Sequence, residues 1–230
     1  MPQKTLQIKN FRYFFKQPDD KPKIKLLKAY VETYLKEEIQ QEALSRNIPA
    51  FSLFLELAGF ENGHVINFSS LAEKIDVHNA NIKQYFQILE DTMIGYLLYP
   101  YQKSTRRKII SHPKFYFFDT GLVSCLQKRI HEPITPATPP YGMAFEHWLI
   151  LETKRVLDYA GIESKMSFFR TSDDVEVDLI LEIQNKTWAI EFKSHTQPNP
   201  RSFKGLKNFI SDHPVDRVLF KVLFSMSDKT

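Results

Sequence analysis

The sequence predicts an α+β (α/β) chain in two parts: an N-terminal helical and winged-helix part, followed by an αβββαβ mixed-sheet domain. Three observations predict it. Apolar residues recur at helical spacing from about residue 24 to residue 93. Four prolines crowd the stretch EPITPATPPYG (132–142). Beyond it the apolar period drops to 2 in consecutive short runs. The domain boundaries follow: an N-terminal segment 1–23, a helical region with a winged helix-turn-helix 24–131, a Pro-rich linker 132–141, and a second domain 142–230.

In the first part, residues 24–44 carry Leu27, Tyr30, Val31, Tyr34, Leu35 and Ile39 near 3.6 spacing. A second helix over about 50–59 is expected to stop at Gly59. Ser69 or Ser70 is placed to cap a short helix through Leu71, Ala72 and Ile75. After the turn DVHNAN comes a longer helix with Ile82, Tyr85, Phe86, Leu89 and Met93 on one stripe. YLLYPYQ and KFYFF then read as two strands around the polar tip KSTRRKIISHP. Two short helices, a third helix and a hairpin make a winged helix-turn-helix. Its tip offers Lys103, Arg106, Arg107 and Lys108 to successive phosphates. Its third helix offers Lys83, with Asn79, Asn81, Gln84 and Gln87 as types that reach base edges. In KFYFFDTGL, Asp119 is placed to cap the helix containing Leu122 and Leu126.

In the second part, a helix over about 142–160 precedes the strands MSFFR, VEVDLILEI and TWAIEFK, then a helix in PRSFKGLKNFISDH and a last strand, DRVLFKVLF. Strict alternation puts Val175, Val177, Leu179, Leu181 and Ile183 on one face of the second strand. Glu176, Asp178, Ile180 and Glu182 take the other. Glu191 and Lys193 project to one side of the third strand, and natural pairing brings Asp178 there too. Glu146 sits on an apolar helical stripe with Leu149, Ile150 and Leu157. A carboxylate there needs a metal ion, a lysine or backbone donors beneath it. Glu176 and Glu182 read as solvated strand charges, and the seven histidines show no zinc-type spacing.

Composition bounds the function classes. The chain has 230 residues, 43% hydrophobic, and its single cysteine, Cys125, excludes an intrachain disulfide. No signal-peptide core and no bilayer-length apolar run is visible, so a soluble, cytoplasmic protein with no membrane partner is expected. The net charge of +4 comes from the part before the Pro-rich stretch, which suits a polyanionic partner.

Glu146, Asp178 and Glu191-x-Lys193 within αβββαβ resemble the PD-(D/E)XK nuclease superfamily. More broadly, the chain from about residue 24 is similar to the C-terminal region of bacterial and archaeal AAA-type ATPases, which includes a domain of unknown function. YVETYLKEEI, the NFSSLAEKIDVHNANIKQYFQILEDTMI run, KFYFFDTGL, GMAFEHW, EVDLIL and AIEFK carry this resemblance. It implies a Mg²⁺-dependent, endonuclease-like site: Asp178 and Glu191 as metal ligands, and Lys193 on the attacking water or the phosphate. Glu146 would support a water or ligand, and Arg170 would contact a backbone phosphate. DNA is the implied partner, with RNA as a substitute, together with an ATPase core in cis or missing from this chain. Two departures matter. No G-x-x-x-x-G-K-[ST] is present, so no ATP site is expected here and the chain reads as a fragment or truncated relative of the ATPase. Val177 stands where the family's proline precedes the aspartate. The rival expectation is a non-catalytic protein-docking module coupling an ATPase to a partner protein.

Overall fold

The computed structural model describes residues 21–31, 47–102, 108–132, 134–135, 138–194 and 203–213. It is a mixed α+β chain of helices and two small antiparallel sheets. Lys103, Arg106, Arg107, His195, the last expected strand and the helix beyond residue 31 lie outside the described residues. None of the described helices is long and apolar enough to cross a membrane.

Helix α1 spans Lys21–Ala29 and α2 spans Ile48–Glu61. The Asn47 side chain caps α2, accepting the Ala50 N–H at 3.2 Å. Gly59 does not end this helix. A Cβ there would stand 2.8 Å from Leu126 Cβ, so this glycine permits close helix crossing rather than a stop. Helix α3, Phe68–Ile75, is capped by Asn67 rather than by either serine, and the Asn67 oxygen accepts from Ser70 N at 3.0 Å. It ends on Asp76 in the left-handed region, φ 58°. In α4, Asn79–Asp91, the stripe Ile82, Tyr85, Phe86 and Leu89 is buried as expected. Met93 departs from it, 84% exposed, because the helix has stopped and Met93 itself has φ 58°.

Strands β1 (Gly95–Leu98) and β2 (Lys114–Phe117) pair antiparallel, with Gly95 opposite Phe117 and Leu98 opposite Lys114. Period 2 divides β2 between two cores. Phe115 and Phe117 pack with α2, α3 and α4, while Tyr116 faces a second cluster built on Phe145, Trp148 and Phe168. Helix α5, Thr120–Leu126, starts on Asp119, whose Oδ1 accepts from Gly121 N at 2.7 Å and Leu122 N at 3.0 Å, as the sequence predicts.

Helix α6 spans Pro139–Tyr159 and so begins inside the stretch expected to be linker. Two prolines in a first turn are compatible with a helix, since those N–H groups have no intrahelical acceptor. The second sheet has order β3 (Lys165–Arg170), β4 (Glu176–Ile183), β5 (Lys186–Ile190), with both pairings antiparallel. The strand that would make it mixed lies outside the described residues. Gln184 and Asn185, both at positive φ, close the β4–β5 hairpin as a two-residue turn. Helix α7, Lys204–Asp212, covers the far face through Leu206 and Phe209.

Beyond its strands, the first hairpin runs on beside β3. Tyr101 N donates to Phe168 O at 2.6 Å, Phe168 N to Tyr99 O at 3.1 Å, Ile110 N to Arg170 O at 3.2 Å, and Ser172 N to Lys108 O at 3.0 Å. Both arms of the hairpin are thereby joined to the second sheet.

Candidate functional site

The strict alternation expected in β4 breaks at the residue that matters. Pairing with β3 runs Ser167–Ile180 and then Phe169–Val177, so Asp178 and Leu179 together face Phe168. This is a β-bulge. Ile180 therefore shares the α7-side cluster with Val177, while Leu179 packs in the α6-side cluster. The expected grouping of Asp178 with Ile180 on one face, and of Val177 with Leu179 on the other, does not hold.

Asp178 is 8% exposed and its Oδ2 accepts the Phe192 N–H at 2.7 Å. That bond joins β4 to the segment just past β5 and brings Glu191 and Lys193 to the same place. Lys193 Nζ donates to Glu191 Oε1 at 2.5 Å. Glu191 is 7% exposed, and its Oε2 is buried with no hydrogen-bond partner among the described residues. The expected convergence of Asp178, Glu191 and Lys193 is therefore present.

Behind this trio stands a second group. Glu146, from α6, receives the Tyr116 hydroxyl at 2.8 Å and Lys114 Nζ at 3.3 Å on Oε1. Lys114 Nζ also lies 2.8 Å from Glu176 Oε1. Of the three solutions open to a carboxylate on that stripe, the structure uses a lysine, aided by a tyrosine. Glu176 is not a solvated strand charge. It pairs with buried Lys114 and, at 3.5 Å, with Arg170. Arg170, expected on a phosphate, is held by Asp174 at 2.9 Å as well as by Glu176.

Sequence reasoning passed over Lys114. The signal was available: in KFYF, Phe115 and Phe117 take one face, which puts Lys114 and Tyr116 together on the other.

Burial raises the Asp178 carboxyl well above the usual range. Glu146 and Glu191 push the same way, while Lys193 and Lys114 oppose them. Burial also raises Glu191, against the pull of Lys193. Lys193 itself is depressed by burial but held above its ordinary value by Asp178 and Glu191, so it keeps its proton. Lys114 follows the same pattern, with Glu146 and Glu176 outweighing burial.

A cation fits this surplus of carboxylates. The chain offers Asp178 and Glu191 as oxygen donors, with the orphaned Glu191 Oε2 among them, and hard oxygen ligands of this kind suit Mg²⁺. Among the described residues no group of three or more His, Cys, Asp and Glu side chains is arranged to hold a metal ion.

Other expected contact residues are scattered. Lys83 is exposed on α4, with its Nζ 5.7 Å from the centre of the Phe68 ring. Lys108 is exposed at the hairpin arm. Asn79 Nδ2 is occupied by Ser69 Oγ at 2.9 Å and Gln87 by Asp91 at 2.8 Å, so these amides serve the surface of the helices themselves.

One histidine has a structural role that spacing did not reveal. His147 is buried and donates from Nε2 to Phe117 O at 2.7 Å. Asn62 Nδ2 donates to its Nδ1 at 3.2 Å, and Phe117 N closes the ring on Asn62 Oδ1 at 2.9 Å. Burial lowers its pKa from 6.5 to about 4, against the opposing pull of the Phe117 carbonyl. Between those values the unfolded chain binds the proton and the folded chain does not. Stability is thus complete above pH 6.5 and falls as pH drops toward 4, by about 3 kcal/mol at most for this group. The raised Asp178 and Glu191 carboxyls act on stability with the opposite sign, so urea unfolding of wild type and His147→Gln at intervals from about pH 4.5 to 7.5 is expected to show the histidine's slope as the difference between the two. An unchanged slope in the variant would assign the acid sensitivity elsewhere.

Comparison with known proteins adds the following. Residues 13–132 match the family model described as a domain of unknown function, DUF8612, and residues 141–230 match a second, the domain of unknown function DUF4143. The uncharacterised protein Mb2031c of Mycobacterium bovis is 24% identical over 174 residues, covering 74% of this chain and 38% of the relative. The uncharacterised protein Rv2008c of Mycobacterium tuberculosis gives the same figures, 24% over 174 residues, 74% and 38%. The chain thus spans well under half the length of the curated relatives it matches. No solved structure matches it. With just over half of its length matched by the first model, the chain belongs to the DUF8612 family.

Proposed function

We propose that this chain is the nucleic-acid-associated region of an AAA-type ATPase, and that its C-terminal unit is a PD-(D/E)XK nuclease-like domain with a divalent-ion-dependent phosphodiesterase site. The observation that carries the reading is the meeting of Asp178, Glu191 and Lys193 around the hydrogen bond from Phe192 N–H to the Asp178 carboxylate, with a buried carboxylate oxygen left over. The match to DUF4143, a domain typical of AAA-type ATPase C-terminal regions, supports the ATPase association. The order α3, α4, β1–β2 supports the winged helix, which would hold DNA through its basic hairpin.

In this reading the Asp178 Oδ2 is fixed by the Phe192 N–H, and the Asp178 and Glu191 carboxylates would hold Mg²⁺, the buried Glu191 Oε2 among their oxygens. The ion, when bound, supplies a more acidic water and offsets charge on the phosphate. Lys193 keeps its proton and therefore acts as a donor, orienting the water or binding a phosphate oxygen, not as a general base. Glu146 acts from behind, through Tyr116 and Lys114.

The full chain is expected to cleave plasmid or branched DNA in Mg²⁺ or Mn²⁺ and to stop in EDTA. Asp178→Ala and Lys193→Ala should each lower the rate by roughly 10²–10³-fold. Cleavage that persists in both variants would overturn the assignment.

A further inference from the structure

The ammonium of Lys114 lies between carboxylates from two other elements. It is 2.8 Å from Glu176 Oε1 on β4 and 3.3 Å from Glu146 Oε1 on α6, with the Phe168 ring centre at 5.3 Å. Tyr116 adds a 2.8 Å bond to the same Glu146 oxygen. Glu146 and Glu191 act electrostatically on Asp178, and Glu176 and Glu146 act on Glu191, which places all four carboxylates around one region. Yet among the described residues no three such side chains share a point where an ion would sit. Two of the carboxylates already have a cation in Lys114.

We propose that Lys114 is a positioning residue that acts as a built-in counter-cation, holding Glu146 and Glu176 away from an ion at Asp178 and Glu191 and so limiting the site to one ion on two carboxylates. This rests on the divalent-ion reading of that pair. Lys114 and Tyr116 lie in the stretch matched by DUF8612, and the carboxylates lie in the stretch matched by DUF4143. The ligand set of the C-terminal unit is therefore fixed by the hairpin of the N-terminal unit. Moving β2 away would release Glu146 and change what the site binds.

Mn²⁺ titration of the full chain, by calorimetry and by the paramagnetic resonance of free Mn²⁺, tests this without an activity readout. The wild type binds one equivalent, lost in Asp178→Asn. Lys114→Met with Glu176→Gln removes one charge of each sign, frees Glu146, and should tighten Mn²⁺ binding about tenfold through the added carboxylate. Adding Glu146→Gln should return the wild-type affinity. Glu146→Gln alone, which keeps an acceptor for Tyr116 and Lys114, removes a neighbouring charge but no ligand and should weaken Mn²⁺ binding by no more than about threefold, and Lys114→Arg should preserve the wild-type value. Equal affinity in the wild type and the folded double variant, or a tenfold loss in Glu146→Gln alone, overturns the role given to Lys114 while the one-ion reading stands. A wild-type chain that binds no Mn²⁺ overturns both.

Discussion

Lys114→Met is expected to lower the unfolding free energy by about 3 kcal/mol, and the melting temperature by about 6–12 °C. Lys114 is only 3% exposed, and methionine matches the length of its stem, so the loss is one of charge rather than volume. Breaking a buried pair by removing one partner costs about 3–5 kcal/mol, because the other charge remains buried. Here the abandoned carboxylates, Glu146 and Glu176, have side chains 25% and 30% exposed, and water reaching them takes part of that cost away. A cycle with Glu176→Gln separates the terms. If the penalty is stranded charge, the double variant recovers part of it, since Glu146 stays charged, giving an interaction energy of about 1 kcal/mol or more. The control is the exposed Lys154–Asp158 pair on α6, where Lys154→Ala should change stability by less than about 0.5 kcal/mol. Urea unfolding measures all of these. A Lys114→Met chain as stable as wild type would mean that the hairpin is held to α6 by aromatic packing and by the Tyr116–Glu146 and His147–Phe117 hydrogen bonds, without the ion pair.

The parts of the site that lie close together in the chain were legible. Alternation over VEVDLILEI and TWAIEFK, with a two-residue turn between, fixes a hairpin. A hairpin brings Asp178 opposite the segment carrying Glu191 and Lys193 whatever surrounds it. The bulge at Asp178 was not legible, since no glycine or proline marks it. With it, Leu179 joins the α6-side cluster and Val177 and Ile180 the α7-side cluster. The role of Lys114 was hidden for a related reason: its partners lie far along the chain, on α6 and β4. Boundaries erred where two residues compete for one job. Asn67 takes the cap that Ser69 or Ser70 could fill. Gly59 serves packing against Leu126 rather than termination. Pro139 and Pro140, expected to lie in the linker, open α6, because a first turn needs no donor there.

Gly205 gives the sharpest contrast between local propensity and packing. It is the second residue of α7, and propensity alone favours alanine in a helix by about 1 kcal/mol. A Cβ at 205 would collide with the carbonyl oxygen of Glu176 and stand 2.9 Å from its carbonyl carbon. The strand has little room to yield. Glu176 pairs with Arg170 of β3 through the backbone, and its side chain holds Lys114 and Arg170. The helix must move instead, and it carries Leu206 and Phe209, both buried against Tyr101, Phe169, Val177 and Ile180. Each such side chain contributes about 1.5–3 kcal/mol when fully buried. A partial withdrawal of α7 therefore outweighs the propensity gain, and Gly205→Ala is expected to destabilise the chain by about 3 kcal/mol. Urea unfolding measures the total, and amide hydrogen exchange locates it, with protection lost first across 204–212. A stabilised Gly205→Ala chain would mean that α7 stands further from β4 than the carbonyl contact requires. In that case nothing would brace Glu176 from behind, and its hold on Lys114 would depend on β3 alone.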